Sequence, residues 1–119
     1  GETIYFADLE KTRTESIGAP FLLCLTSGRK ILLGNLPVTI GKMENRAGLV
    51  LKDSSVSRLH AKIFEEDGDI WVTDLNSKNG TQINDKRLAP HEVARLSQGD
   101  EICFGRERFR FGFVDSKEY

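Results

Sequence analysis

The stretch Arg108-Phe109-Arg110-Phe111-Gly112-Phe113 carries phenylalanine at every second position, and two of the intervening positions are arginine. Successive side chains of a β-strand point to opposite faces, so this order places the rings on one face and the charges on the other. In a helix the same rings would be spread around the circumference. We therefore predict a strand whose aromatic face packs on an apolar core.

Two segments upstream show the same period of two. Residues 59–63 (LHAKI) and 70–73 (IWVT) alternate strongly apolar side chains with other types. We expect both to be half-buried strands, with Leu59, Ala61 and Ile63 turned inward in the first.

Short apolar segments recur between turn dipeptides from Phe21 onward, and this spacing is typical of an all-β sandwich or barrel. No alternation of strands and helices is apparent. The one segment with a helical period, residues 87–96, has Pro90 in its middle, which limits it to a turn. The turn dipeptides are Ser27-Gly28, Gly34-Asn35, Asp67-Gly68, Asn79-Gly80 and Gln98-Gly99.

Length and charge restrict the classes of function. The 119 residues suit one domain with its own core. Lys and Arg total 17 against 18 Asp and Glu, so the net charge of -1 gives no overall positive field for nucleic acid or an anionic membrane. Any anion binding must be local. The sequence contains no signal peptide and no apolar run near the roughly 18 residues that span a bilayer, so we expect a cytoplasmic protein.

The chain divides into a tail and a domain. Residues 1–18 are polar and charged and show neither a helical nor a strand period, which is typical of a flexible acidic tail or linker. We assign residues 19–119 to the domain.

The cysteines and histidines do not indicate a metal site. Cys24 and Cys103 lie in apolar, strand-like runs and lack the close spacing of a metal knuckle. We expect buried free thiols, with a disulfide between an early and a late strand as the alternative. His60 and His91 are the only histidines, and neither has a second ligand at metal spacing. No metal and no other cofactor is predicted.

Two predicted loops concentrate polar chemistry. Residues 41–60 hold four Lys or Arg against two carboxylates, a local charge of +2, and residues 76–81 (NSKNGT) are small, polar and include a lysine. If the sandwich brings both loops to one end, positive charges, hydroxyl groups and an amide meet there. A dianionic phosphate on a peptide requires this combination.

Four blocks in these regions resemble the forkhead-associated (FHA) domain family: VTIGK at 38–42, SSVSRLHA at 54–61, WVTDLNSKNGT at 71–81 and GDEI at 99–102. One block alone would be weak, but four in register on an all-β pattern are specific, and together they cover roughly residues 21–114. The resemblance implies an eleven-stranded β-sandwich that binds phosphothreonine peptides through loops at one end.

The resemblance also implies roles for individual residues. The hydroxyl of Ser57 is expected to donate to a phosphate oxygen, and Arg58 to fork onto two phosphate oxygens or reach an acidic peptide side chain. Asn79 is expected to hold the peptide backbone next to the phosphothreonine through its amide. His60 matches a histidine that supports the binding loops by internal hydrogen bonds. Gly41 and Gly80 match backbone positions, Gly80 supplying the positive φ of an Asn-Gly turn.

Two positions depart from the family pattern. Lys42 stands where the family has arginine, so a planar fork becomes a less directional ammonium group. Lys78 stands where the family usually has Thr or Ser, which removes a hydroxyl and adds a cation. A charge-assisted hydrogen bond is worth about 1.5–3 kcal/mol, so losing one costs roughly tenfold or more in affinity. Lys42 therefore keeps open an alternative, an FHA-fold interaction scaffold that has lost phosphate dependence.

The expected partner is a threonine-phosphorylated protein or peptide, bound by a monomeric module of a larger signalling protein. A second hypothesis is capture of the protein's own phosphorylated tail, at Thr3, Thr12 or Thr14. Ile17 lies three residues after Thr14, which is the family's usual specificity position. An unmodified linker is the alternative for this segment.

An enzyme is not predicted. The candidate nucleophile and base are Ser57 and His60, and residues three apart on a strand point to opposite faces. No carboxylate completes a triad. Nucleic-acid binding is not favoured either, because Phe109, Phe111 and Phe113 share one strand face, as core residues do.

Overall fold

Eleven strands in two sheets form the part of the chain that the structure, a computed structural model, describes, residues 18–115. No helix occurs within that range, and the all-β sandwich expected from the sequence is confirmed. The predicted tail lies outside the described residues apart from Gly18. The strands are β1 (Pro20–Cys24), β2 (Lys30–Leu32), β3 (Val38–Gly41), β4 (Leu49–Val50), β5 (Ala61–Glu66), β6 (Asp69–Asp74), β7 (Thr81–Ile83), β8 (Lys86–Arg87), β9 (Val93–Leu96), β10 (Glu101–Phe104) and β11 (Glu107–Phe113).

The strands pack as a six-stranded sheet, in the order β2-β1-β11-β10-β7-β8, on a five-stranded sheet, in the order β4-β3-β5-β6-β9. Neighbouring strands are antiparallel except for the parallel pair of β3 and β4. Tight turns join consecutive strands where two residues in a row have positive φ. Asp67 and Gly68 have φ of 53° and 83° between β5 and β6, the conformation of a hairpin whose turn matches the strand twist.

The inner faces of both sheets supply the core. Phe109 and Phe111 of β11 are buried while Arg108 and Arg110 remain exposed, as the alternation predicts. Burying each phenylalanine side chain contributes about 1.5–3 kcal/mol, which makes β11 a principal source of the packing energy.

The predicted alternation over residues 59–63 is wrong at its start. β5 begins only at Ala61, and His60, expected on the outer face, is fully buried. Leu59, expected to be inward, is only half-buried. The reason is that residues 54–60 form a loop, and a loop residue does not follow the period of the strand that comes after it.

Cys24 and Cys103 are both free, but each is half-buried and not fully buried as expected. They cannot form the alternative disulfide, because β11 lies between their strands. Cys24 pairs with Phe109 and Cys103 with Arg108, neighbouring residues whose side chains point to opposite faces. Residues 18–115 contain no cluster of metal-ligating side chains, and no helix in that range is long and apolar enough to cross a bilayer.

The loops that carry the predicted site meet at one end of the sandwich. Ala61, the first residue of β5, pairs with Ile40 near the end of β3 and with Asp74 at the end of β6. Thr81, the first residue of β7, pairs with Phe104 at the end of β10. Consequently the loop preceding β5, the loop between β6 and β7 and the β10–β11 turn converge, as the family resemblance implied for the first two.

Candidate functional site

A groove of about 340 Å³ opens between the converging loops. All five residues predicted to contact phosphothreonine line it. The complete lining is Lys42, Ser54, Ser55, Val56, Ser57, Arg58, Lys78 and Asn79.

His60 lies beneath the groove and bridges its two main loops. Its Nδ1 accepts a hydrogen bond from the backbone N–H of Ser57 at 3.0 Å. Its Nε2 lies 2.8 Å from the carbonyl oxygen of Gly80. Since a carbonyl can only accept, Nε2 carries the ring proton and Nδ1 has none. Burial lowers the pKa of His60, which favours this neutral imidazole.

This geometry corrects the reason for excluding an enzyme. Ser57 and His60 do not lie on one strand, and they are not turned apart: the imidazole contacts the Ser57 backbone directly. Both ring nitrogens are nevertheless occupied by backbone groups, so neither is available to accept a proton from the Ser57 hydroxyl. The Ser57 oxygen instead accepts a hydrogen bond from the backbone N–H of Lys78 at 3.0 Å. Its own proton remains for a ligand.

The backbone just after β3 holds Lys42 beside Ser57 and Arg58. The N–H of Lys42 donates to the carbonyl of Ser57 at 3.0 Å, and the N–H of Met43 donates to that of Arg58 at 3.1 Å. Gly41 permits this approach, because a Cβ at that position would overlap the carbonyl of Arg58.

The cations of the groove have no side-chain partner in the part of the chain that the structure describes. Lys42, Arg58 and Lys78 are exposed, and their charged groups make no hydrogen bond or ion pair with any side chain in residues 18–115. Lys52 nearby is bound to Glu44 at 2.7 Å. The groove therefore presents concentrated positive charge in a chain of net charge -1, as a dianionic ligand requires.

One of the two amide protons of Asn79 is used in a hydrogen bond within the protein. Its Nδ2 donates to the carbonyl of Ser55 at 2.9 Å. Its amide oxygen and second amide proton have no partner among residues 18–115, which leaves one acceptor and one donor facing solvent. The following residue, Gly80, has the expected positive φ, 89°, and a Cβ there would lie 2.5 Å from Nε of Arg87.

A buried carboxylate that sequence reasoning missed anchors the loop between β6 and β7. Asp74 Oδ1 accepts from the hydroxyls of Ser77 at 2.6 Å and Thr81 at 2.7 Å, and Oδ2 accepts from the N–H of Ser77 at 3.0 Å. Burial alone would raise the pKa of Asp74, but the hydrogen bonds from Ser77 and Thr81 outweigh it and hold that pKa below its ordinary value. The available signal was Asp followed three residues later by Ser, the spacing at which a carboxylate accepts from a nearby backbone N–H.

Arg106 in the β10–β11 turn is a second residue missed from the sequence. It lines a neighbouring cavity of about 470 Å³ together with Ser54, Ser55, Asn79 and Gly105. No motif flags a lone arginine between two strands, because only the fold brings this turn to the groove.

Comparison with known proteins identifies relatives of this chain. The sequence model of the FHA domain matches residues 38–105. The chain is 35% identical over 89 residues to the oxoglutarate dehydrogenase inhibitor of Corynebacterium diphtheriae, a match covering 75% of this chain and 58% of that protein. The first of these curated relatives are covered over little more than half of their length, and others over less than a quarter.

Two solved structures share the fold. Mycobacterium tuberculosis EmbR, in complex with a low-affinity phosphopeptide, superimposes with a TM-score of 0.76 at 27% identity, covering 83% of this chain and 25% of that chain. A structure from an analysis of phosphothreonine-dependent FHA domain interactions gives a TM-score of 0.71 at 29% identity, covering 81% and 97% of the two chains.

Proposed function

The chain belongs to the FHA domain family, and from that membership we propose that it is a module that binds phosphothreonine peptides and catalyses no reaction. The observation that carries the proposal is the groove itself. Lys42, Arg58 and Lys78 line it together with Ser57, and their charged groups have no partner among residues 18–115. This is the donor set that a dianionic phosphate needs.

Each lining residue has a distinct task in this proposal. Ser57 and Arg58 donate to the phosphate oxygens, and Lys42 and Lys78 add charge. Asn79 holds the peptide backbone beside the phosphothreonine. Gly41, His60 and Gly80 shape and support the loops, which is consistent with the bonds of His60 to Ser57 and Gly80.

The wider setting is also proposed. One relative is named as an inhibitor of an enzyme, oxoglutarate dehydrogenase, and one structural neighbour, EmbR, was solved with a bound phosphopeptide. We place this domain, residues 19–119, as a monomeric module within a larger cytoplasmic signalling protein, whose ligand is a threonine-phosphorylated partner.

Capture of the protein's own tail is limited by chain length. Val114 N donates to Ala19 O at 2.8 Å, so the tail leaves the domain beside the end of β11. The groove lies at the other end of that strand, whose seven residues span roughly 20 Å. Thr14 is four residues from Gly18 and reaches at most about 14 Å. Thr3 is fifteen residues away and reaches about 50 Å.

A phosphorylated Thr3 can therefore enter its own groove, whereas a phosphorylated Thr14 can enter only that of a second molecule. We expect sedimentation to show concentration-dependent dimers for the Thr14 form and monomers for the Thr3 form. A monomeric Thr14 form with an occupied groove would contradict this geometry.

The test of the proposed function is an amide-shift titration with a degenerate phosphothreonine peptide library, run beside its unphosphorylated twin. Shifts confined to the groove residues, and seen only with phosphate, are expected. Equal shifts with both libraries, or none with either in a folded domain, would refute phosphate recognition. They would favour the phosphate-independent scaffold that Lys42 leaves open.

A further inference from the structure

The β10–β11 turn contacts both loops that form the groove, the loop preceding β5 and the loop between β6 and β7. The N–H of Gly105 donates to the carbonyl of Gly80 at 3.1 Å, the same oxygen that His60 bonds from the other side. Gly105 has φ of 60°, and a Cβ there would lie 2.5 Å from the carbonyl oxygen of Ser55. The absence of a side chain allows the turn to lie directly against the Ser54–Ser55 segment.

Arg106, the next residue, fastens that segment. Its backbone N–H donates to the hydroxyl of Ser55 at 2.8 Å. Its guanidinium donates to the carboxylate of Asp53, with Nη2 at 3.1 Å from Oδ1 and 3.3 Å from Oδ2, and to the hydroxyl of Ser54 at 3.1 Å. Asp53 in turn accepts from the N–H of Ser55 at 2.8 Å and from its hydroxyl at 2.6 Å.

The fastened segment bears on the ligand through Asn79. The carbonyl of Ser55 accepts the Nδ2 of Asn79 at 2.9 Å, so the position of Ser55 sets the position of the amide. Arg106 itself does not line the phosphate groove, and its charge is already matched by Asp53. These contacts make it a support for the groove and not a part of its wall.

We propose that Arg106 is a positioning residue for phosphopeptide binding, acting with Asp53 to hold Ser54–Ser55 and thereby the Asn79 amide in the geometry that receives the peptide backbone. The inference rests on the proposed function of the groove. The alternative explanation is simple charge attraction, in which the Arg106 guanidinium attracts the phosphate and the Asp53 carboxylate repels it.

The two explanations predict opposite signs for Asp53→Asn. Removing the carboxylate makes the region more positive, so attraction alone predicts tighter binding of a phosphothreonine peptide. Positioning predicts weaker binding, because the arginine and the serine segment both lose their anchor. We expect Asp53→Asn and Arg106→Ala each to raise the Kd by roughly three- to tenfold, and the double variant to be little worse than either, as for two members of one network.

Two further variants sharpen the experiment. Arg106→Lys should not fully restore affinity, because an ammonium can replace Nη2 but loses the second contact of the guanidinium, from Nε to Oδ1 of Asp53 at 3.3 Å. Arg108→Ala is the matched control, since Arg108 is also exposed and bound to a carboxylate, Glu101, at 2.9 Å, without touching a binding loop. It should change the Kd less than twofold. Tighter binding by Asp53→Asn, full recovery in Arg106→Lys or an unaffected Arg106→Ala would each overturn the proposal.

A measurement without ligand separates this proposal from the proposed function. In Arg106→Ala, hydrogen exchange of the Ser55 amide and of the Asn79 side-chain amide should accelerate severalfold, while amides of β5 and β6 exchange as in the wild type. If the wild type binds no phosphothreonine peptide, the proposed function fails. Exchange at Ser55 and Asn79 then still decides whether Arg106 positions this segment, and unchanged rates would refute it.

Discussion

The polar groups beneath the loops that form the groove are buried and hydrogen-bonded, whereas the charged groups above those loops are exposed and have no partner in residues 18–115. Beneath the loops, His60, Asp74 and Thr81 are at most 2% exposed, and among the described residues no buried side-chain nitrogen or oxygen lacks a hydrogen-bond partner. Above the loops, the charged groups of Lys42, Arg58 and Lys78 have no partner in residues 18–115. The polar groups of the lower side are satisfied within the protein, whereas the charges of the upper side are free, among the described residues, to meet a ligand.

The contrast explains how a groove built from loops can bind with little reorganisation. Buried hydrogen-bond networks hold a single geometry, since each broken bond leaves a costly unpaired group. The carbonyl of Gly80 and the N–H of Ser57 are fixed by the same imidazole. The exposed donors are therefore carried on a backbone that is already in place, which lowers the entropic cost of binding.

The largest effect is expected from the lower side. Asp74→Ala removes a carboxylate that accepts three hydrogen bonds, leaving the N–H of Ser77 and the hydroxyl protons of Ser77 and Thr81 without their acceptor. The free energy of unfolding should fall by about 3 kcal/mol, measured by urea denaturation.

Glu65→Ala, at an exposed position of β5, is the control for Asp74→Ala and should change stability by less than about 0.5 kcal/mol. A loss below about 1 kcal/mol in Asp74→Ala would mean that the loop between β6 and β7 holds its shape without the carboxylate.

The next effect belongs to the upper side and concerns affinity alone. Arg58→Ala should weaken phosphothreonine-peptide binding by about tenfold or more, because a fork of charge-assisted hydrogen bonds is lost. The urea midpoint should not change, since the guanidinium has no partner within residues 18–115. Arg95→Ala, an exposed arginine on β9, should leave both quantities as they are. Equal affinity of the Arg58→Ala and Arg95→Ala variants, by isothermal titration, would remove Arg58 from the site.

The sequence predicts the core and the residues that line the groove better than it predicts the buried polar residues beneath the groove. Alternation marks Phe109 and Phe111 as core residues, because the period of a strand is written in consecutive positions. The residues that line the groove are also found from the sequence, through blocks that resemble the FHA family, and their binding role stays a prediction. The lower side is less visible. His60 is assigned a supporting role by resemblance, yet its burial is missed because it precedes β5, where the period does not apply.

Contacts between residues far apart in the sequence could not be predicted from the sequence. Arg106 contacts Asp53, 53 residues away, and nothing local to either position indicates the pairing. For Asp74 a weak local signal exists, because its partner Ser77 lies only three residues further along the chain. Long-range polar contacts depend on which turns the sheets bring together, and a single sequence does not specify that order directly.

Acid should destabilise the lower side of the site through His60 and, at lower pH, through Asp74. Burial lowers the pKa of His60, although the Gly80 carbonyl and Asp74 oppose the shift. The unfolded chain therefore takes up this proton first, at about pH 6.5. Stability is complete above that pH and decreases as pH falls toward the folded pKa, by at most about 1.4 kcal/mol per pH unit. The depressed pKa of Asp74 adds a loss only as pH falls below about 3.9.

Urea midpoints of the unliganded domain at three pH values between 7.5 and 5.5 measure this slope. The same series on His91→Gln, at the exposed second histidine, provides the comparison. A midpoint that is constant or rises on acidification would show that imidazole protonation is tolerated beneath the loops.

The smallest effect should come from Lys42→Arg, which changes one exposed head group and nothing beneath it. The backbone at this position is already fixed by the bond from Lys42 N to Ser57 O. A guanidinium offers two parallel donors to a phosphate where the ammonium offers a point charge, so the Kd should fall by about two- to fivefold. Lys62→Arg, on the outer face of β5, controls for the change in side-chain type. If Lys42→Arg leaves the Kd unchanged while Arg58→Ala abolishes binding, phosphate recognition relies on Arg58 and Ser57, and Lys42 contributes only to the general field.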